Sequence, residues 1–310
     1  MNAHPAESDR RLETEMIKLR YWQHIMNEDL KKKLFNIPIN VAFGNEAIAI
    51  AVCDMMEQED QLVLTHRNMA YNLVRAGALK PVYDEYKLSP DGIAAGKLGS
   101  MNLANPARGI AYASSILGNN FSLGCGLALS KRVKRDAGIV IVTTGDGAIE
   151  EGGFYEALVF AKSHELQLMI VLENNNHSMS STIAQRRCSI GMAKLCESVH
   201  VPYQHLSGND VFAYASTLLE VRAGMETGSN PVCVEAELTL LNQHAGPTPG
   251  WPTDPMSVDL KNGLIVRDEP GDPLYVLRQS IGEEPFAKMA AQVADDERLE
   301  SVAAQATSER

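Results

Sequence analysis

Apolar positions along this chain repeat with two different periods. Over residues 8–34, Leu12, Met16, Leu19, Ile25 and Leu30 recur near helical spacing between charged residues, which predicts an amphipathic helix. Phe43 to Met56 reads as a second, largely buried helix rich in small residues. Gln61 to Leu64 is a short strand candidate, and residues 81–88 a short helix. From residue 121 onward the two types alternate. Helical patterns over 121–135, 150–163 and 209–226 separate three apolar, β-branched runs at 138–144 (GIVIVTT), 168–173 (LMIVLE) and 232–238. Asn209 or Asp210 caps the last of these helices. Strands alternating with helices predict an α/β fold, a doubly wound parallel sheet flanked by helices. Ligands of such sheets sit at the carboxyl ends of the strands.

Two stretches lack either period. Between 90 and 120, Gly92, Gly96, Gly99, Pro106, Gly109 and Gly118 punctuate a segment that still holds Ile110, Ile116 and Leu117. Long irregular segments inside compact domains are mostly functional or disordered. The apolar content favours a ligand-lining loop. Residues 242–273 are rich in Pro and Gly and read as an irregular loop, followed by a polar helical tail to about 305. No internal repeat is visible.

Composition adds exclusions. With 310 residues, 45% hydrophobic and 22% charged, the chain can bury a core without staples. The formal net charge of -11 and the absence of a large basic cluster argue against a nucleic-acid partner. Lys31-Lys32-Lys33 and the basic stretch 131–135 fall at helix ends, where cations offset the helix dipole. The five cysteines, Cys53, Cys125, Cys188, Cys196 and Cys233, form no CxxC pair, as expected of reduced thiols in the cytoplasm. No apolar run approaches the roughly 18 residues of a membrane span, and the N-terminus lacks an apolar signal core. A soluble, cytoplasmic protein with no membrane partner is expected.

The chemistry concentrates between Thr143 and Ser178. One buried strand ends in Gly145-Asp146-Gly147 and the next in Glu173-Asn174-Asn175-Asn176. In a parallel sheet both ends emerge on one edge, so Asp146 and the asparagine run face one crevice. Mg2+ prefers a few protein oxygens completed by phosphate oxygens and water. The glycines flanking Asp146 let backbone N–H groups approach a phosphate, and a helix starting near Ala148 turns its N-terminus to the same anion. Asp-Gly alone is commonest as a turn; the pair of motifs in one β-α-β unit points instead to a metal–diphosphate site.

The spacing from Gly145-Asp146-Gly147 to the asparagines resembles the thiamine-diphosphate motif. The chain over about 15–260 is similar to the alpha subunit of the first component of 2-oxo acid dehydrogenase complexes. Gly44-Asn45-Glu46-Ala47, Thr65-His66-Arg67, Gly96-Lys97-Leu98-Gly99-Ser100-Met101, Ser115-Ile116-Leu117-Gly118 and the run 150–158 (EEGGFYEAL) resemble its further motifs in order. The resemblance implies one thiamine-diphosphate-binding domain over 1–310, with an N-terminal helix and a C-terminal helical tail. It implies that Asp146, Asn175 and the backbone carbonyl of His177 bind Mg2+, and that Arg67 contacts the diphosphate. The backbones of Ser115 and Leu117 would hold the aminopyrimidine, the amides of Gly147 and Ala148 would touch phosphate, and His244 would be the catalytic histidine of an active-site loop.

The family's activating glutamate lies on a beta subunit in two-subunit members. The resemblance therefore implies a beta-chain partner in an α2β2 assembly, a 2-oxo acid substrate and a lipoyl acyl carrier. Asn40 and Asn102 stand where the family has histidines, Leu240 and Leu241 replace a polar step, and Ala245 replaces a serine. These departures leave room for carboligation to an aldehyde or ketone, as in transketolase-like chemistry, beside oxidative decarboxylation. A non-catalytic subunit and a dinucleotide-binding dehydrogenase fit less well. The first conflicts with the intact Asp146 and Asn175; for the second, Gly124-Cys125-Gly126 lacks a third glycine. Small-residue helices at 43–56 and 121–130 suit either core packing or close subunit packing.

Overall fold

The computed structural model describes residues 7–179, 181–228, 230–242 and 258–306. The strands are β1 (Gln61–Thr65), β2 (Ile110–Ser114), β3 (Val140–Gly145), β4 (Leu168–Asn174), β5 (His177–Ser178), β6 (Ser181–Thr182), β7 (Tyr203–Leu206) and β8 (Val232–Glu237). Six of them form one sheet in the order β2-β1-β3-β4-β8-β7, with every neighbouring pair parallel. β5 and β6 pair separately as a two-stranded antiparallel hairpin. The α/β, doubly wound parallel expectation therefore holds.

The helices are α1 (Glu7–Lys31), α2 (Glu46–Met55), α3 (Met69–Ala76), α4 (Lys80–Tyr86), α5 (Asn119–Lys134), α6 (Gly152–Ser163), α7 (Ile183–Arg186), α8 (Met192–Ser198), α9 (Val211–Glu226), α10 (Pro273–Ile281) and α11 (Glu283–Ala306). The period-2 alternation of the central strands divides the core between two layers. Leu62, Leu64, Ile141, Met169, Val171, Val232 and Val234 pack with α1, α2, α3 and α9. Val63, Val140, Val142, Leu168, Ile170 and Leu172 pack with α5, α6 and α8. Each such side chain fully removed from water contributes roughly 1.5–3 kcal/mol, and burial on both faces is what a parallel sheet requires.

Several elements depart from expectation. The segment 90–120 is not one loop: β2 lies inside it and pairs with β1. α3, α8 and β7 are elements with no clear sequence signal. The helix expected near Ala148 is a 3-10 turn over Ala148–Glu150, and α6 begins only at Gly152. Asp210, not Asn209, caps α9, accepting from the N–H groups of Phe212 and Ala213. The helical tail is broken at Gly282, which has φ 94°. The small residues of α2 serve the chain's own core, since Ala47 to Val52 are buried. A buried triad clamps this layer: Arg20 donates to Glu46 at 2.6 Å and to Asp272 at 3.0 Å, linking α1 and α2 to the start of α10.

The chain leaves β1 towards β2 at one edge and returns to β3 on the other side of β1. The strand order reverses between β1 and β3, and a crevice opens there beyond the carboxyl ends.

Candidate functional site

A cavity of about 50 Å³ occupies that switch point, lined by Thr65, His66, Arg67, Leu117, Gly145, Asp146, Gly147, Ala148, Glu173, Asn175, His177 and Ser178. β1 contributes the first three at its end, β3 delivers Gly145 and Asp146, and β4 delivers Glu173 and Asn175. All three residues expected to hold a metal, Asp146, Asn175 and His177, thus line one space, as does Arg67 from a third strand.

Asp146 is 1% exposed. Its Oδ2 accepts from Nη2 of Arg186 at 2.7 Å, while Oδ1 has no hydrogen-bond partner among the described residues. Burial pushes the carboxyl above its ordinary range, and the hydrogen bond and charge of Arg186, with the nearby N–H groups of Asp146 and Asn175, oppose that rise. A buried carboxylate oxygen without a donor is costly, and a cation is the group that would satisfy it. The Oδ1 of Asn175 accepts the His177 N–H at 3.0 Å, and the His177 ring Nδ1 lies 3.1 Å from the Asn175 carbonyl oxygen. These contacts fold the segment after β4 into the β5–β6 hairpin and fix the backbone at His177.

Arg67 is a buried cation. It donates from Nη1 to the Val41 carbonyl at 2.6 Å. Burial pulls its guanidinium down to about 10 even though Glu173 stands near it. A guanidinium depressed by burial at a cavity wall gains from an anion there. The open space beside Gly145, where a Cβ would meet nothing within 4 Å, gives such an anion access to the backbone.

Gly147 has a packing reason beside the phosphate contact expected of it. A Cβ there would lie 2.4 Å from Oγ and 2.6 Å from Cβ of Ser178. The glycine lets the hairpin close over the loop after β3.

Glu173 and His66 belong to the site although sequence reasoning gave neither a role. Glu173 is 4% exposed, accepts from Tyr71 Oη at 2.7 Å, and is pushed by burial up to about 6, against the pull of Tyr71 and Arg67. The signal was a lone acid ending an otherwise apolar strand. Burial holds the His66 imidazole down to about 4, so it is neutral at pH 7.

Of the remaining expectations, Leu117 reaches the cavity and Ala148 lines it. Ser115 does not line it; Ser115 is exposed, and its N–H donates to Asn102 Oδ1 at 3.2 Å. His244 lies outside the described residues.

Among the described residues, no group of three or more His, Cys, Asp or Glu side chains converges to hold a metal. The donor set at Asp146 is too poor for a self-sufficient metal centre, which fits a Mg2+ that brings phosphate oxygens with it. Also among the described residues, no helix is long and apolar enough to cross a membrane.

A family model described as "Dehydrogenase E1 component" matches residues 13–248. The alpha subunit of acetoin:2,6-dichlorophenolindophenol oxidoreductase from Bacillus subtilis is 26% identical over 220 residues, which is 71% of this chain and 66% of that one. The mitochondrial pyruvate dehydrogenase E1 alpha subunit of Solanum tuberosum is 28% identical over 238 residues, 76% of this chain and 60% of that one. The chain thus spans no more than about two thirds of these relatives. Transketolase from Campylobacter jejuni superposes with a TM-score of 0.58 at 14% identity, over 98% of this chain and 49% of that one, a likeness of fold.

Proposed function

The chain belongs to the dehydrogenase E1 component family, and from that premise we propose that it is the alpha subunit of a thiamine-diphosphate-dependent enzyme that decarboxylates a 2-oxo acid and passes on the acyl unit. The observation that carries this reading is the convergence of Asp146, Asn175 and Arg67, from three strand ends, on one cavity in which Asp146 Oδ1 lacks a partner among the described residues. In this reading Asp146, Asn175 and the His177 carbonyl hold Mg2+. Arg67 neutralises the diphosphate, and the N–H groups of Gly145, Gly147 and Ala148 meet its oxygens. When bound, thiamine diphosphate supplies the carbon nucleophile and electron sink.

The chain's own groups bind, orient and exclude water. Burial of Asp146 and Arg67 strengthens each charge–charge contact relative to water. Leu117 and the backbone of Ser115 hold the aminopyrimidine side. Ser115 and Ile116, the latter 67% exposed, form a rim that a beta subunit covers in an α2β2 assembly while bringing the activating glutamate. His244 donates a proton to the developing oxyanion of the substrate. The whole chain serves as one thiamine-diphosphate-binding domain acting in the cytoplasm, with a lipoyl carrier as acyl acceptor. The similarity to dehydrogenase and oxidoreductase alpha subunits supports oxidative transfer over carboligation.

Incubating the assembled protein with pyruvate and either a redox dye or an aldehyde separates these outcomes. Dye reduction supports the dehydrogenase reading. Acyloin formation without dye reduction would replace it.

A further inference from the structure

Arg186 occupies a position that the metal reading leaves unexplained. Its guanidinium makes three contacts: Nη2 to Asp146 Oδ2 at 2.7 Å, Nε to Glu150 Oε1 at 3.0 Å and Nη1 to the Ser181 carbonyl at 2.7 Å. Its side chain is only 12% exposed. It comes from α7, at the far end of the hairpin that begins at His177. The chain therefore places its own cation on the carboxylate that would anchor a metal ion. Around the cavity, among the described residues, the carboxylates of Asp146, Glu173 and Glu150 stand against the guanidiniums of Arg67, Arg186 and Arg187, so these charges cancel. Among the described residues, no other carboxylate lines the cavity.

We propose that Arg186 makes divalent-cation binding conditional on the diphosphate. This rests on the function proposed above. A bare cation entering at Asp146 Oδ1 meets a neutralised carboxylate, and the fixed guanidinium on Oδ2 repels it. A cation arriving with a diphosphate carries net negative charge, which Arg67 and Arg186 both attract. Arg186 thereby rejects free cations and favours the complete metal–diphosphate unit. The repulsion of a divalent ion by a unit charge within a few ångströms, even under water-like screening, amounts to roughly tenfold or more in affinity.

The test titrates Mn2+ alone, and Mn2+ with thiamine diphosphate, into the full chain, reading free Mn2+ by electron paramagnetic resonance. Arg186→Gln is expected to bind Mn2+ alone at least about tenfold more tightly than the wild type. Arg186→Lys, which keeps the charge, is expected to stay near the wild type, and so is Arg187→Gln, which removes a charge that touches Glu150 but not Asp146. Circular dichroism checks the fold, and Arg186→Met gives the same readout if the Gln variant does not fold. Equal or weaker Mn2+ binding in the folded neutral variants would overturn the proposal and make Arg186 a residue that merely orients Asp146. An equal gain in Arg187→Gln would overturn it in favour of bulk charge. Failure of the wild type to bind Mn2+ even with thiamine diphosphate is a separate signature; it overturns the cofactor reading and this inference with it.

Discussion

Tyr71 donates its hydroxyl to Glu173 Oε1 at 2.7 Å, joining α3 to the end of β4 beneath the cavity. The pair sets a proton equilibrium. Burial raises the Glu173 carboxyl from its ordinary 4.5 to about 6. The folded chain therefore holds this proton more tightly than the unfolded chain. Its stabilising contribution is complete below about pH 4.5 and is lost as pH rises through about 6. The expected loss is up to about 2 kcal/mol. Glu173→Gln, which keeps an acceptor for Tyr71, is predicted to flatten the stability curve between pH 4.5 and 6 and to raise stability at pH 7. Urea denaturation across that range checks it; an unchanged slope would assign the titration to other groups.

Tyr71→Phe moves the same equilibrium the other way. Without the hydroxyl, the charged carboxylate loses a donor and its proton affinity rises further. The fall in stability is predicted to extend to higher pH than in the wild type, read by the same denaturation series.

The contact between Gly147 and Ser178 gives a packing prediction. Gly147→Ala places a methyl group 2.4 Å from Ser178 Oγ and 2.6 Å from its Cβ, and is expected to cost about 1–3 kcal/mol. Adding Ser178→Gly should recover most of that loss, whereas Ser178→Ala should not, because Cβ remains. Full rescue by Ser178→Ala would mean that the hydroxyl alone is in the way.

How much of this was legible depended on where the specifying forces lie. Asp146 and Asn175 were readable because each follows a strand buried on both faces, VIVTT in β3 and LMIVLE in β4, whose apolar runs are strong local signals. Parallel pairing then puts both ends on one edge. β2 and β7 are edge strands, paired on one side only. Their sequences, IAYAS and YQHL, are partly exposed, so only tertiary pairing defines them. The helix start expected near Ala148 falls later, because the chain is still turning through the 3-10 turn Ala148–Glu150 and α6 begins only at Gly152. The role of Glu173 depends on Tyr71 and Arg67, about a hundred positions earlier. Arg186 reaches Asp146 only because the short β5–β6 hairpin folds back, which no local pattern announces.

Arg67 tests the anion side of the cavity. Arg67→Lys keeps the charge but loses the planar fork that grips two oxygens at once. Thiamine diphosphate affinity is predicted to fall about tenfold or more, and to fall further in Arg67→Ala. Isothermal calorimetry at fixed Mg2+ measures both; unaltered affinity would remove Arg67 from the diphosphate site.

His244 is expected to act on turnover rather than on binding. His244→Ala is predicted to lower kcat with thiamine diphosphate affinity near that of the wild type. Equal losses in both would make the histidine structural.

The most direct measurement is the binding of thiamine diphosphate to the assembled protein, with and without Mg2+, for the wild type and Asp146→Ala. Saturable, metal-dependent binding in the wild type, weakened by at least about 100-fold in the variant, is the predicted result. Binding that ignores Mg2+, or that survives loss of the Asp146 carboxylate, would contradict the account.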